Sequence, residues 1–467
     1  MGQQTISQQL AAYATSLRYE DIPQEVVHRA KALIIDTLGC ALGGHDGEPV
    51  EIARELAGEI SSTQPASLLG YGPQTSGDLA VFVNGAMIRY LDFNDGYTSL
   101  TSGHPSDSIA ALLTAAELAH ADGRELITAT VVAYEVFCRM CDAANLKQHG
   151  FDHVTQGAMA SVAGAARLLG LTAEQTSEAI NMIVSSNIAL FQTRIGNVSM
   201  WKGCAYANAS RNAIFAVQLA RRGMTGPSPI FEGKGGGFFH AVSREPFTLP
   251  AFGGQGTQHF KIMDCLMKRY ALGQYSQTVV DAALQAYERL GGAYDIAGVH
   301  IHTLQTAIDI MAGDPEKWSP ANRESADHSM PYVTAVALMY GGIEPEHFED
   351  PHLHDPELLD LVNRVQVSVS EEANRREPDA MLCDLVITMK DGGTQTFQVA
   401  YHRGHSRNPM SDDEVAAKYH RLVDPVLPKG RGAELLARLW KLEGMGDCGE
   451  IFEMARFDDR PNSMRQH

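Results

Sequence analysis

This chain encodes a mainly α-helical protein with an inserted α+β domain, and three features say so. The first 264 residues repeat apolar side chains at spacings of three and four, broken by turn residues. Near residue 265 the pattern turns to short β-branched runs alternating with helical stretches. After Gly404 it returns to helix. The expected organisation is an all-helical domain of residues 1–264 and 405–467, with an α+β domain of residues 265–404 set into it. At 467 residues the chain can support two to three domains with cores of their own.

The elements follow in order. Residues 22–43 form an apolar helical stripe that stops at Gly43-Gly44. Ser76 can cap the helix GDLAVFVNGAMIRYL, and Ser106 or Asp107 can cap SIAALLTAAELAHA, which ends near Gly123. Further helices are expected at about 124–143, 156–169, 174–190 and 206–222, rich in the Ala and Gly that permit close packing. Strands are expected at 298–304 and 365–370, and residues 382–404 form a hairpin turning at Asp391-Gly392-Gly393. Helices at about 276–291 and 330–341 alternate with these strands, and helices at about 411–422 and 431–442 close the chain.

Composition narrows the function. Hydrophobic residues make up 44% and charged residues 20%, ordinary proportions for a globular protein. The net charge of −19 argues against nucleic acid and against an anionic membrane as partner. A small anionic substrate stays open, because a few cations can focus positive potential locally. The N-terminus lacks a basic stretch followed by an apolar one, and no run reaches membrane-spanning length. Gly2 echoes an acylation signal, but Ile6 stands where Ser or Thr is needed. These features point to a cytosolic protein, as do seven scattered cysteines, which suit reduced thiols. Cys138-Arg-Met-Cys141 is a CxxC within a helical pattern; an iron–sulfur site there needs a third cysteine supplied by folding.

The chemistry concentrates in Tyr90 to Ser108, which packs Asp92, Asn94, Asp95 and His104 into a loop between two helices. Asp92 and His104 are the types that hold a substrate and move a proton. His104 precedes Pro105 at a helix start, where an anion would meet free amides; a capped turn with a structural His explains the same residues. Asp95 is the plainer turn residue of the two aspartates. His153 and Lys202 each precede a helix, the latter one starting near Ala205, and Lys268, Arg269 and Tyr270 mark the domain junction, with Gln277 just beyond. Each alone reads as a surface or cap residue; together with the His104 loop they suggest an anion pocket. Asp327, His328 and Tyr332 surround another helix start, where capping with a Pro in the first turn is the plainer account. The glycine run 233–237 lacks a phosphate-binding pattern.

The segments AKALIIDTLGCALGG (30–44), MIRYLDFND (87–95), GHPSD (103–107), MWKGCAYANASRN (200–212) and ADHSMPYVTAVAL (326–338) together resemble the MmgE/PrpD family. The family contains 2-methylcitrate dehydratases and cis-aconitate decarboxylases, and residues 310–332 look most like the dehydratase branch. The resemblance implies a homodimer with a helical domain and an α+β lid. It also implies a polycarboxylate site between the domains that uses no metal and no organic cofactor. Carried over motif by motif, Asp92, His104, His153, Lys202, Lys268 and Tyr332 become catalytic candidates. Asn94, Lys202, Lys268, Arg269 and Gln277 become substrate-binding candidates. Gly96, Ala271 and Tyr275 depart from the family pattern at positions that line or support the pocket.

The implied reaction is dehydration of 2-methylcitrate, with citrate as a second candidate substrate, and 2-methyl-cis-aconitate is the product from 2-methylcitrate. In that scheme one of His104 and His153 moves the carbon-bound proton while the other helps hydroxide leave, and Asp92 orients His104. Lys202 and Lys268 stabilise negative charge, and Tyr332 donates a hydrogen bond. Decarboxylation of cis-aconitate and epimerisation use the same kinds of residue. A non-catalytic binding protein on the same fold is the alternative outside enzymes, separated from them by turnover without added metal.

Overall fold

The computed structural model describes residues 4–196, 198–293 and 295–457; Gly2 and the polar tail 458–467 lie outside them. The chain divides into two compact units. One comprises Met1–Phe191, Gly203–Cys265 and Ser411–His467, the other Gln192–Lys202 and Leu266–Met410.

The first unit is helical. Helices Gln24–Gly43, Gly77–Tyr90, Ile109–Ala119, Gly123–Ala143 and Val154–Leu168 bury most of their length, as their Ala- and Gly-rich faces predict. Helices Ile6–Ser16 and Glu48–Gly58 complete the N-terminal part. The helices Gly123–Ala143 and Val154–Leu168 lie against each other along their lengths. Gly164 helps this: a Cβ there would sit 3.1 Å from the Ala129 carbonyl oxygen of the facing helix, and 2.3 Å from Leu112 Cδ2 of helix Ile109–Ala119. The C-terminal helix Asp412–Val423 returns to pack on Gln24–Gly43. It brings Lys418 Nζ to 2.6 Å from Asp36 Oδ1 and 2.7 Å from the Phe93 carbonyl, so this returning helix clamps the loop that follows Tyr90.

The second unit is α+β. Its four-stranded sheet has the order Val365–Val369, Ile296–Thr303, Cys383–Met389, Thr394–Val399, the first pair parallel and the rest antiparallel. Helix Gln277–Leu290 packs on the hairpin strands, and helix Met330–Tyr340 packs on that helix. Val299, Ile301, Leu385 and Ile387 point into the core between them. The hairpin turns where expected: Gly392 has φ +88°, and Asp391 Oδ1 accepts from Gly393 N at 2.8 Å.

Three local expectations are corrected. Residues 192–202 belong to the second unit, and the chain rejoins the helical unit at Ser411, not at residue 405. The later return reflects Asn408, whose carbonyl accepts from Gly404 N at 2.8 Å and whose Nδ2 donates to the Tyr401 carbonyl at 3.1 Å, holding this turn to the second unit. The helix expected from about Ala205 begins at Trp201, which puts Lys202 in its first turn. Neither Ser106 nor Asp107 caps a helix: Pro105–Ser108 form a 3₁₀ turn, helix Ile109–Ala119 starts beyond it, and both side chains are held by groups of the preceding loop. Among the described residues no helix is long and apolar enough to cross a membrane.

Candidate active site

In the helical unit the loop after helix Gly77–Tyr90 begins with Asp92 at φ +48°, a left-handed conformation uncommon outside glycine. It turns the chain so that carboxylates and imidazoles gather around Arg89, all of them buried. Arg89 donates to Asp92 Oδ1, lies 3.6 Å from Asp107 Oδ2, and donates from Nη2 to His104 Nε2 at 3.0 Å. His104 Nδ1 lies 2.7 Å from the Asp95 carbonyl. A carbonyl only accepts and a guanidinium only donates, so these partners assign His104 as a neutral ring protonated at Nδ1. Asn94 donates to Ser106 Oγ at 2.8 Å and to Asp107 Oδ1 at 2.6 Å. Asp95 accepts from Ser106 N at 3.1 Å, Ser106 Oγ at 2.5 Å and Tyr134 at 2.6 Å. Burial pushes the Asp95 carboxyl up to about 6 against these bonds.

His153 joins the cluster from the start of helix Val154–Leu168. Its ring centroid is 5.3 Å from that of His104, the rings 75° apart. Its Nδ1 lies 3.0 Å from Asp152 Oδ1, and that carboxylate oxygen also accepts from Val154 N at 3.0 Å. With Nδ1 facing Asp152, any proton transfer by His153 would run through Nε2. The link observed from Asp92 toward His104 passes through Arg89, whereas Asp152 lies directly beside the His153 imidazole.

The second unit holds the other candidates. Lys202 Nζ lies 3.0 Å from Asp327 Oδ1 and 2.9 Å from His328 Nδ1, itself 2.5 Å from the same carboxylate oxygen. Lys317, also buried, has its ammonium pushed down by burial and then by Lys202. Lys268 is wholly buried, and Arg269 is exposed. Gln277 and Tyr332 are engaged internally. Gln277 Oε1 accepts from the amides of Arg269 and Tyr270 at 3.3 Å each, and its Nε2 donates to the Tyr270 carbonyl at 3.0 Å. Gln277 therefore orders the Lys268–Leu272 segment. The Tyr332 hydroxyl donates to the His347 carbonyl at 2.6 Å. Asp92, Asn94, His104 and His153 are thus brought together in one unit, while Lys202, Lys268, Arg269, Gln277 and Tyr332 lie in the other.

Sequence reasoning missed Arg89, Asp152 and Lys317, and read Asp107 as a cap. The only local signal was adjacency, as in Asp152-His153. Folding does bring Cys265 toward the CxxC pair, with Cys138 and Cys265 sulfurs 3.9 Å apart. Burial pushes all three thiols up, which keeps them protonated and inert, and among the described residues their sulfurs do not converge as a metal-ligand set.

Comparison with known proteins fits this architecture. Residues 8–249 match the MmgE/PrpD N-terminal domain and residues 270–442 the MmgE/PrpD C-terminal domain. The chain belongs to the MmgE/PrpD family. It is 28% identical to a 2-methylcitrate dehydratase of Cupriavidus necator, over 90% of this chain and 91% of the relative. Identity to a 2-methylcitrate dehydratase of Escherichia coli K12 is 27%, over 84% of each chain. Identity to the cis-aconitate decarboxylase of Homo sapiens is 25%, over 98% of this chain and 96% of the relative. The relatives are lyases whose names divide between dehydration and decarboxylation.

Proposed function

We propose that the protein is a lyase that dehydrates 2-methylcitrate to 2-methyl-cis-aconitate by histidine-mediated proton transfer. The observation that carries this reading is the pair of buried imidazoles in different settings. His104 is neutral, fixed between Arg89 and the Asp95 carbonyl, while His153 is backed by the Asp152 carboxylate. Dehydration breaks a C–H bond beside a carboxylate and a C–O bond at a tertiary carbon. In this scheme His153 Nε2 takes the proton from carbon, the electron pair forms the double bond, and hydroxide departs. The imidazolium so formed returns the proton to the leaving oxygen, so water is the only other product. Asp152 stabilises the imidazolium, and a positioned general base of this kind adds about 10²–10⁴ in rate. His104 and Arg89 fix the geometry on the other side of the pair. Lys202 and Lys268 hold substrate carboxylates, and preorganised charges at developing anions contribute about 3–4 kcal/mol each.

The second reading is decarboxylation of cis-aconitate, favoured by the near full-length similarity to the human decarboxylase. There His153 would hand a proton to the carbanion left by carbon dioxide. The test is turnover of purified, chelator-treated protein on 2-methylcitrate, citrate and cis-aconitate, with products read by NMR. Appearance of 2-methyl-cis-aconitate supports the dehydratase. Itaconate and carbon dioxide from cis-aconitate replace it with the decarboxylase, and binding without turnover of any of the three defeats both. The homodimer belongs to the same proposal and is checked by light scattering in solution.

A further inference from the structure

The sheet of the second unit has a polar, partly open face. In strand Ile296–Thr303, Val299 and Ile301 point into the core, and His300 and His302 stand half-buried on the other side. Residues two apart on a strand share a face. The two rings lie 4.0 Å apart between centroids, tilted by 34°. Both aim a nitrogen at one atom: His300 Nε2 and His302 Nδ1 are each 2.9 Å from Ser368 Oγ. Ser368 is directly across from His302 on the parallel neighbour, and Asp384 is across from it on the antiparallel one. Gln398 Nε2 holds Asp384 Oδ1 at 2.7 Å.

A hydroxyl carries one proton, so Ser368 cannot donate to both imidazoles, and one ring must donate to it. Two ring nitrogens therefore converge on a point now filled by a hydroxyl oxygen and a shared proton. A cation seated beside that oxygen, between the two nitrogens, satisfies both lone pairs at once. We propose that His300, His302 and Ser368 form a binding site for a divalent transition-metal ion of the Zn2+ or Cu2+ kind, with water completing the coordination. Imidazole pairs select such ions over Mg2+ and Ca2+, which demand oxygen ligands. The Asp384 carboxylate on the same face adds favourable charge. On binding, the ring proton shared with Ser368 moves to the other nitrogen of the same imidazole, and a neutral ring loses no proton. None of these groups takes part in the reaction proposed above.

The test is titration of the chelator-stripped full-length protein with Cu2+ alone, read by electron paramagnetic resonance and stoichiometry. The wild type is expected to bind one more ion per chain than the double variant His300→Ala/His302→Ala, with a signal split by two nitrogens that the variant lacks. Equal stoichiometry, or a two-nitrogen signal that survives in the variant, overturns the proposal. A second measurement needs no variant: Zn2+ should protect His300 and His302 from diethyl pyrocarbonate, mapped by mass spectrometry. Unchanged modification of both residues would sink the site just as well.

Discussion

Gly103 and His153 are fitted to each other: a Cβ built on Gly103 would lie 2.5 Å from both Cγ and Cδ2 of the His153 ring. The imidazole occupies the space a side chain would need, and the glycine of GHPSD is required by that contact. Gly103→Ala must push the ring away from His104 or tilt it off Asp152. A misplacement of about 1 Å costs on the order of 10²-fold in rate, and overpacking costs about 1–3 kcal/mol of stability. The variant is therefore expected to fold, with turnover reduced far more than its unfolding midpoint. Turnover kinetics beside a urea melt checks both halves, and near-normal kcat would separate His153 placement from catalysis.

Asp152 makes a sharper prediction. Asp152→Asn keeps the size of the side chain and removes the charge that faces His153 Nδ1 at 3.0 Å. The imidazolium loses its counter-charge, and kcat is expected to fall by about 10²–10⁴. Removing an anion lowers the pKa of the ring, so the acidic limb of the pH–rate profile should move to lower pH. A purely structural Asp152 would lower activity without moving that limb.

The sequence made part of this site legible, and the division has a physical cause. His104, His153, Asp92 and Asn94 stand in short polar runs between apolar helices, where a packed core has no use for them. Arg89 and Asp152 stand where local rules already explain them. A cation in the last turn of a helix suits the dipole, and an acid before a helix start suits free amides. Only tertiary structure shows that Arg89 binds His104 and two carboxylates. Ser106 and Asp107 failed as caps for the converse reason: Asp95 and Asn94 of the preceding loop, and Arg89 of the helix before it, compete for them and win. The sheet was readable because its strands alternate and Asp391-Gly392-Gly393 dictates the turn. Residues 192–202 were not, because nothing local to a helical pattern says which unit will bury it.

Lys202 and Asp327 form a buried pair 3.0 Å apart. Lys202→Met leaves the buried Asp327 carboxylate beside His328 without its ammonium, and breaking such a pair costs about 3–5 kcal/mol. Adding Asp327→Asn removes the stranded charge, so the double variant should recover most of the lost stability. Chemical denaturation of the two variants measures this. The double variant should not recover substrate affinity if Lys202 holds a carboxylate, so KM and stability part company.

Asp95 gives a pH dependence whose sign can be worked out. Its carboxyl is raised from 3.8 to about 6 in the folded protein, chiefly by burial. A carboxyl with a higher pKa in the native state binds its proton more tightly there. The native state is therefore weakened as pH rises from about 4 to about 6 and charge is forced into the core. At 1.36 kcal/mol for each unit, the ionised group costs on the order of 3 kcal/mol above that window and nothing below it. Asp95→Asn removes the titration while leaving an oxygen for Ser106 N. The stability of the wild type relative to this variant should thus rise as pH falls through the window, opposite to the usual acid effect on a paired carboxylate. Urea melts of both proteins at about pH 7 and about pH 4.5 read the difference. A gap that stays constant would mean that Asp95 is ionised across the range, its charge carried by Ser106 and Tyr134. In that case the Asp95 carbonyl that receives His104 Nδ1–H would be anchored by charged hydrogen bonds.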